Sequence, residues 1–324
     1  MGLLSARWAP WAAAGWTFGY GAVQSWWLLN PGTRWAPPEE PFAPGRWAAV
    51  TLGFTAAGAC ALIAARAGRR WPVAARRALV VVTWAAGAGL VLYSYMLAIS
   101  LASMLFADYD DWASLLIRAA GTVGGALALA CAAAEGNRLR QGCAACGRVH
   151  GRSAERRTDP TPGWARLAGY AAVAGYLSRV GAVVRDHLTL GRPVDLGFDP
   201  FTVFLLLVSL AGTVLPLALV HRWGRIWPRW VVPLAGRPVP RWLVLGPGYF
   251  VGASLTGYFG LAGMTAWVLG KGGLRGGDQL TVSMEMFGYT VWGLGLLAAS
   301  VSYHALTRPE CPLPVKVRGL APAG

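Results

Sequence analysis

The sequence predicts an all-α fold: a polytopic transmembrane helical bundle of about eight spans, arranged as two parallel four-helix repeats. Three observations predict it. Hydrophobic residues fill 55% of the 324 positions and charged residues only 13%, about half the charge fraction of a soluble domain. Mean hydropathy is +0.45. The charges fall in short loops between apolar runs of the roughly 20 residues that cross a bilayer. The same composition excludes a disordered chain, which needs low hydrophobicity and high charge. It also excludes a disulfide scaffold, because five cysteines are too sparse in a chain of this length.

The expected spans are 10–30, 47–67, 78–106, 112–134, 164–184, 201–221, 242–270 and 282–306. The first reads as a span rather than a signal peptide. Its leading segment holds only Arg7, its apolar run exceeds the roughly 7–15 residues of a signal core, and it ends in the interfacial anchor Trp26-Trp27. The third and seventh are long enough to tilt or to end in an outer half-turn. The longest gap, 135–163, leaves no room for a soluble domain. Pro216 and Pro247 fall inside the sixth and seventh spans and are expected to kink them.

Loop charge fixes the expected orientation. With the N-terminus inside, the inner segments hold 21 of the 29 Lys and Arg residues, the outer loops hold 6, and Arg118 and Arg179 lie within spans. Both termini are then cytoplasmic, and the location is the cytoplasmic membrane. The net charge of +15 reads as a topology signal suited to an anionic inner leaflet, not as a nucleic-acid surface. Twelve of the 17 tryptophans, Trp71, Trp112, Trp164 and Trp227 among them, sit at expected span ends, where amphipathic rings prefer to lie.

Two halves of the chain echo each other. Gly15, Trp16 and Gly21 match Gly169, Tyr170 and Gly175 at an offset of 154. Trp71-Pro72 matches Trp227-Pro228 at 156, Tyr95 matches Tyr258 at 163, and Cys146 matches Cys311 at 165. The rising offset marks small insertions, of which 234–240 is the clearest. The organisation is therefore a first transmembrane module, 1–146, with a cytoplasmic Cys-x-x-Cys end, a cytoplasmic linker, 147–163, and a second module, 164–324, with a cytoplasmic tail. An even span number per module makes the repeats parallel. Small residues are expected at the helix contacts, at Gly15/Gly19, Gly121/Gly124/Gly125, Gly248/Gly252 and Gly288 through Gly295.

Charges inside a bilayer are costly and are functional candidates by default. Arg118 and Arg179 lie about two turns or less from the outer ends of their spans, and Glu285 lies near the outer start of the eighth. An Arg118–Glu285 pair across the module axis would neutralise both charges. The functional reading makes Arg118, Arg179 and Glu285 the floor of an outward-facing cavity for a polar or anionic ligand, with Tyr95 and Tyr258 on its wall. The structural reading makes them an ion pair, snorkelling arginines and tyrosines bonded to neighbouring helices.

Cys143-x-x-Cys146, followed by His150, has metal-ligand or redox spacing. Cys311 at the matching end of the second module would complete a tetrahedral zinc site. Zinc is thus the one cofactor that the residues leave open, beside dithiol chemistry and no special role. Cys60 and Cys131 fall in apolar spans and read as inert packing residues. No two histidines face each other in mid-span, no lysine lies in mid-span, and no phosphate-binding loop, His-Glu-x-x-His or Gly-x-Ser-x-Gly occurs. Haem held by two histidines, a Schiff-base chromophore, ATP-driven pumping and standard intramembrane hydrolysis are correspondingly disfavoured.

The stretch 221–260, HRWGRIWPRWVVPLAGRPVPRWLVLGPGYFVGASLTGYFG, together with Cys143-Ala-Ala-Cys-Gly-Arg148 and an arginine-dominated basic set, resembles uncharacterised multi-pass membrane proteins of high-GC actinobacteria. The resemblance implies fold and location and carries no activity. The expected function is a permease or transport-associated protein. The alternatives are a non-catalytic subunit of a membrane complex, and a membrane-embedded redox or metal enzyme built on Cys143 and Cys146.

Overall fold

The computed structural model describes residues 8–33, 36–37, 45–65, 71–106, 111–140, 157–190, 200–268 and 279–308. Among these residues the chain is helical, with no strand. The helices are α1 (Ala9–Leu29), α2 (Arg46–Ala65), α3 (Val73–Tyr93), α4 (Leu97–Phe106), α5 (Trp112–Leu139), α6 (Gly163–Leu190), α7 (Pro200–Val220), α8 (Arg241–Leu255), α9 (Met264–Val268) and α10 (Gln279–Leu306). A π-helical segment, Thr256–Gly263, joins α8 to α9. The helix starts follow from local chemistry. Pro10 opens the first turn of α1, where a missing N–H costs nothing. The Asp111 carboxylate caps α5 by accepting from the Ser114 N–H at 3.1 Å.

Five helices, α2, α3, α5, α6 and α10, are long and apolar enough to cross a membrane. Across the helices small residues take much of the interior, beside larger groups such as Leu90, Trp292, Leu296 and Tyr303, and large apolar residues take much of the outside. Alanines fill the interior, Ala13, Ala49, Ala56, Ala128, Ala172 and Ala299 among them, while Phe18, Leu29, Leu167, Leu177, Leu210, Leu294 and Val301 point outward. A water-soluble bundle would do the reverse, because burying its large apolar groups is what stabilises it. In lipid, close backbone approach between small residues takes over that role.

Helices α1, α2, α3 and α5 surround one core. Helices α6, α7, α8 and α10 surround another. Glycines set the closest approaches. A methyl added to Gly125 would lie 2.6 Å from the Gly87 carbonyl, and one added to Gly175 would lie 2.5 Å from the Gly288 carbonyl. Gly121, Gly124, Gly248, Gly252, Gly293 and Gly295 also face neighbouring helices, as expected. Gly15 and Gly19 do not: a methyl on either meets open space, and α1 instead packs through Gly21 against Gly53 of α2.

The two long expected spans are each interrupted. The third breaks at 94–96 between α3 and α4, and the seventh turns from α- to π-helix at Thr256. The interruptions touch. Gly257 packs on Tyr95, and the Tyr95 and Tyr258 rings stand 5.8 Å apart. Contacts of α3 and α4 with α8 and the π segment join the two cores. Pro216 and Pro247 lie inside α7 and α8, as expected.

Between α7 and α8 the chain folds into a latch, 221–240. One 3-10 turn, Arg222–Gly224, precedes an isolated bridge between Ile226 and Pro238, and a second, Val232–Leu234, lies in the loop that the bridge closes. Gly236 turns the chain with φ of 76°, a conformation that glycine adopts at no steric cost. The Tyr303 hydroxyl donates to the Gly224 carbonyl at 2.6 Å. Gly224 must be glycine, because a methyl there would overlap the Ala218 carbonyl.

Candidate functional site

Arg118 and Arg179 both point into helix contacts and both meet hydroxyls. Arg118 of α5 donates through Nη1 to the Ser100 hydroxyl of α4. Arg179 of α6 donates through Nε to the Tyr289 hydroxyl of α10 at 2.7 Å, with its guanidinium carbon 5.8 Å from the ring centroid. Among the described residues the Nη1 and Nη2 groups of Arg179 hold no hydrogen bond. A half-buried guanidinium fixed by Nε, with its fork of terminal donors uncommitted, suits a carboxylate or phosphate.

Aromatic rings connect this arginine to the interrupted helices. Tyr289 stacks on Phe259 of the π segment at 3.9 Å. Phe259 meets Tyr258 edge-on at 4.6 Å, and Tyr258 meets Tyr95. On the other side Tyr289 lies parallel to Trp292, which meets Tyr176. Glu285 lies one turn before Tyr289 on α10. Tyr95, Tyr258 and Arg179 thus belong to one contact chain that runs through Phe259 and Tyr289, with Glu285 one turn from Tyr289 on α10, while Arg118 sits against α4 beside the α3–α4 interruption.

The expected zinc ligands Cys143, Cys146, His150 and Cys311 lie outside the described residues. Among the described residues no three His, Cys, Asp or Glu side chains cluster as metal ligands.

The arginine-rich end of the bundle holds groups that the sequence reading passed over. Glu135 of α5 is fully buried, and its Oε1 accepts from Arg76 Nε at 3.0 Å and Arg76 Nη2 at 2.8 Å. Arg138 approaches the other oxygen at 3.7 Å. The signal was an acid in the last turns of an alanine-rich helix, where the helix dipole opposes it. In the second core Arg241 Nη2 donates to His304 Nε2 at 3.2 Å, which leaves the His304 Nδ1–H to donate to the Tyr249 hydroxyl at 3.3 Å. Arg225 is 3% exposed and reaches the Asp159 carbonyl at 2.8 Å and the Thr161 hydroxyl at 3.3 Å. Burial pulls its guanidinium below the ordinary value, and the side chain stays cationic. Arg157 returns the contact by donating to the carbonyls of Arg225 and Val239 at 3.2 and 3.0 Å.

No family profile, curated protein or solved structure matches the chain, so the chemistry of these side chains carries the functional reading.

Proposed function

We propose that the chain is a permease or transport-associated protein of the cytoplasmic membrane, with eight spans in two parallel four-helix modules and both termini inside. Its ligand is a polar, anionic small molecule taken from the outer side between the modules. The observation that carries this reading is the pairing of a half-committed guanidinium, Arg179, with an aromatic path through Tyr289, Phe259, Tyr258 and Tyr95 to the place where two long spans lose α-helical continuity together. Interrupted helices and π segments concentrate at membrane binding sites because they free backbone groups and permit movement.

The repeat is supported by contact register. Gly125 meets Gly87 and Val91, and Gly293 meets Thr256 beside Gly252. Gly87 and Gly252 are 165 positions apart, as are Val91 and Thr256, while Gly125 and Gly293 are 168 apart. Leu129 and Leu297, also 168 apart, touch the paired glycines Gly87 and Gly252 respectively. Arg76 and Arg241, 165 apart, each bond a side chain near the end of the last helix of their module, Glu135 in one and His304 in the other.

Proteoliposomes challenged with a panel of labelled organic anions test the reading. One anion should be carried, and Arg179→Ala and Arg118→Ala should each abolish its flux while the protein stays inserted and monodisperse. Charge reversal at Arg118 and Glu285 together should restore part of the loss if the two charges pair across the modules. Flux indifferent to both arginines overturns the proposal, as does a protein that carries no anion and purifies with one stoichiometric partner.

A further inference from the structure

The connection between α2 and α3 takes residues 66–72, whereas the latch between α7 and α8 takes 221–240. Joining two helices does not require the extra length. Nor is the latch slack. The Thr161 hydroxyl donates to the Val220 carbonyl at 2.7 Å where the latch begins. Arg225, Arg157 and the Tyr303 hydroxyl tie it to the segment before α6 and to α10. The Trp227 N–H donates to the Arg237 carbonyl and the Gly236 N–H to the Trp227 carbonyl, each at 3.0 Å, which closes 227–237 into a loop. Tyr303 lies within one turn of the end of α10, a helix of membrane-crossing length. The latch is thereby pinned at the level where that helix leaves the bilayer.

Its exposed side chains are of two kinds. Arg222, Arg229 and Arg237 are exposed, and among the described residues their guanidiniums hold no hydrogen bond or ion pair. No acidic residue occurs between Asp199 and Asp278, and Asp159 touches the latch at the buried Arg225. Between Arg229 and Arg237 stand Trp230 and Val232, 81% and 82% exposed. Bulky apolar groups on a tied-down loop gain nothing in water, and the guanidiniums beside them call for an anion. An anion with an apolar body, at a membrane surface, satisfies both.

We infer that the latch is a lipid site: Arg229 and Arg237 hold the phosphate of an anionic phospholipid of the adjoining leaflet, with Trp230 and Val232 at the boundary of headgroups and acyl chains. Guanidinium forks suit phosphate oxygens, and an indole suits that boundary, its ring apolar and its N–H wet. A loop already closed by backbone hydrogen bonds loses little freedom on binding. A free phosphate ester would use the arginines and leave Trp230 and Val232 in water. The inference needs α10 to cross a membrane and needs no transport, so a failed flux assay does not touch it.

The test is native mass spectrometry of the full chain in a neutral detergent, with phosphatidylglycerol, phosphatidylcholine or glycerol 3-phosphate added in turn. Phosphatidylglycerol should bind about tenfold or more tightly than phosphatidylcholine of the same chains, whose choline cation opposes the arginines, and glycerol 3-phosphate should not displace it. Arg229→Gln and Arg237→Gln are each expected to weaken phosphatidylglycerol binding about tenfold, the worth of a charge-assisted hydrogen bond. Trp230→Ser with Val232→Ser should weaken it as well. Arg77→Gln with Arg140→Gln, exposed positions at the arginine-rich end of α3 and α5, removes equal charge and should leave binding unchanged. The lipid comparison needs no variant, so it decides the matter even where a variant misfolds. Equal binding of phosphatidylcholine overturns the inference, as does displacement by glycerol 3-phosphate. So does an equal loss from the Arg77 and Arg140 changes, or a latch found covered by a second copy of the chain or a co-purifying protein.

Discussion

Glu135 carries a negative charge into an interior of alanine and glycine, and Arg76 is what makes that tolerable. Both Arg76 bonds go to one carboxylate oxygen, while Arg138 stands near the second. Removing one partner of a buried pair leaves an uncompensated charge, at a cost of about 3–5 kcal/mol. Arg76→Ala is expected to lower stability by that order, read as an earlier transition on unfolding with sodium dodecyl sulfate in mixed micelles. Replacing both residues, as Arg76→Met with Glu135→Leu, should recover most of the loss, because no orphaned charge remains. At this scale the sequence was partly legible. Arg118 and Arg179 stand out as charges in apolar runs, and Tyr95 and Tyr258 were picked by a repeat offset that the structure turns into a ring contact. Glu135 sits close to the arginine-rich loops and reads as surface until its burial is known.

Helix contacts here are decided by which glycines face a neighbour. Gly125 has the Gly87 carbonyl and the Val91 amide of α3 at 2.6 and 3.0 Å from where a methyl would sit, so a larger side chain must push the helices apart. Gly125→Leu is expected to separate α3 from α5 and to lose the folded, monodisperse peak in size exclusion. Gly15→Leu, placed in open space, should leave stability within about 0.5 kcal/mol of the parent, and folding yield compares the two directly. Sequence spacing marks both glycines alike, since Gly15-x-x-x-Gly19 has the form of a contact motif and makes no contact. The interruption at 94–96 was equally hidden. Ser94-Tyr95-Met96 contains neither proline nor glycine, and the break accompanies the close fit of Gly257 against the Tyr95 side chain, a tertiary cause. Length alone marked the third and seventh spans as unusual.

At the scale of the molecule two cores meet over a narrow contact. Helices α3 and α4 touch α8 and the π segment, whereas each core is closed by its own four main helices. The two halves should therefore assemble without a covalent link. A chain cut between residues 150 and 151, with both fragments coexpressed, is expected to co-purify as a complex and to fall apart when Tyr95→Ala and Tyr258→Ala are combined. The cut spares Arg157, which grips the 221–240 latch. Fragments that never associate would show that the intact connection is essential. Helical class was legible from hydropathy because long apolar runs have few other uses. The latch was not, since a stretch rich in arginine, proline and tryptophan reads as a plain loop until Arg157, Arg225 and Tyr303 are seen to hold it.

An interior built from alanine and glycine also limits how the chain can change over time. At the alanine and glycine contacts there is almost no side chain left to trim, so substitutions there run only toward larger residues, and backbones already in contact refuse them. Tolerance lies on the outside, where Leu, Val and Phe face the surroundings and one bulky apolar group serves as well as another. In most globular proteins the surface drifts in polarity while a bulky core holds still. Here the quiet part is the set of smallest residues, and the part free to vary is greasy.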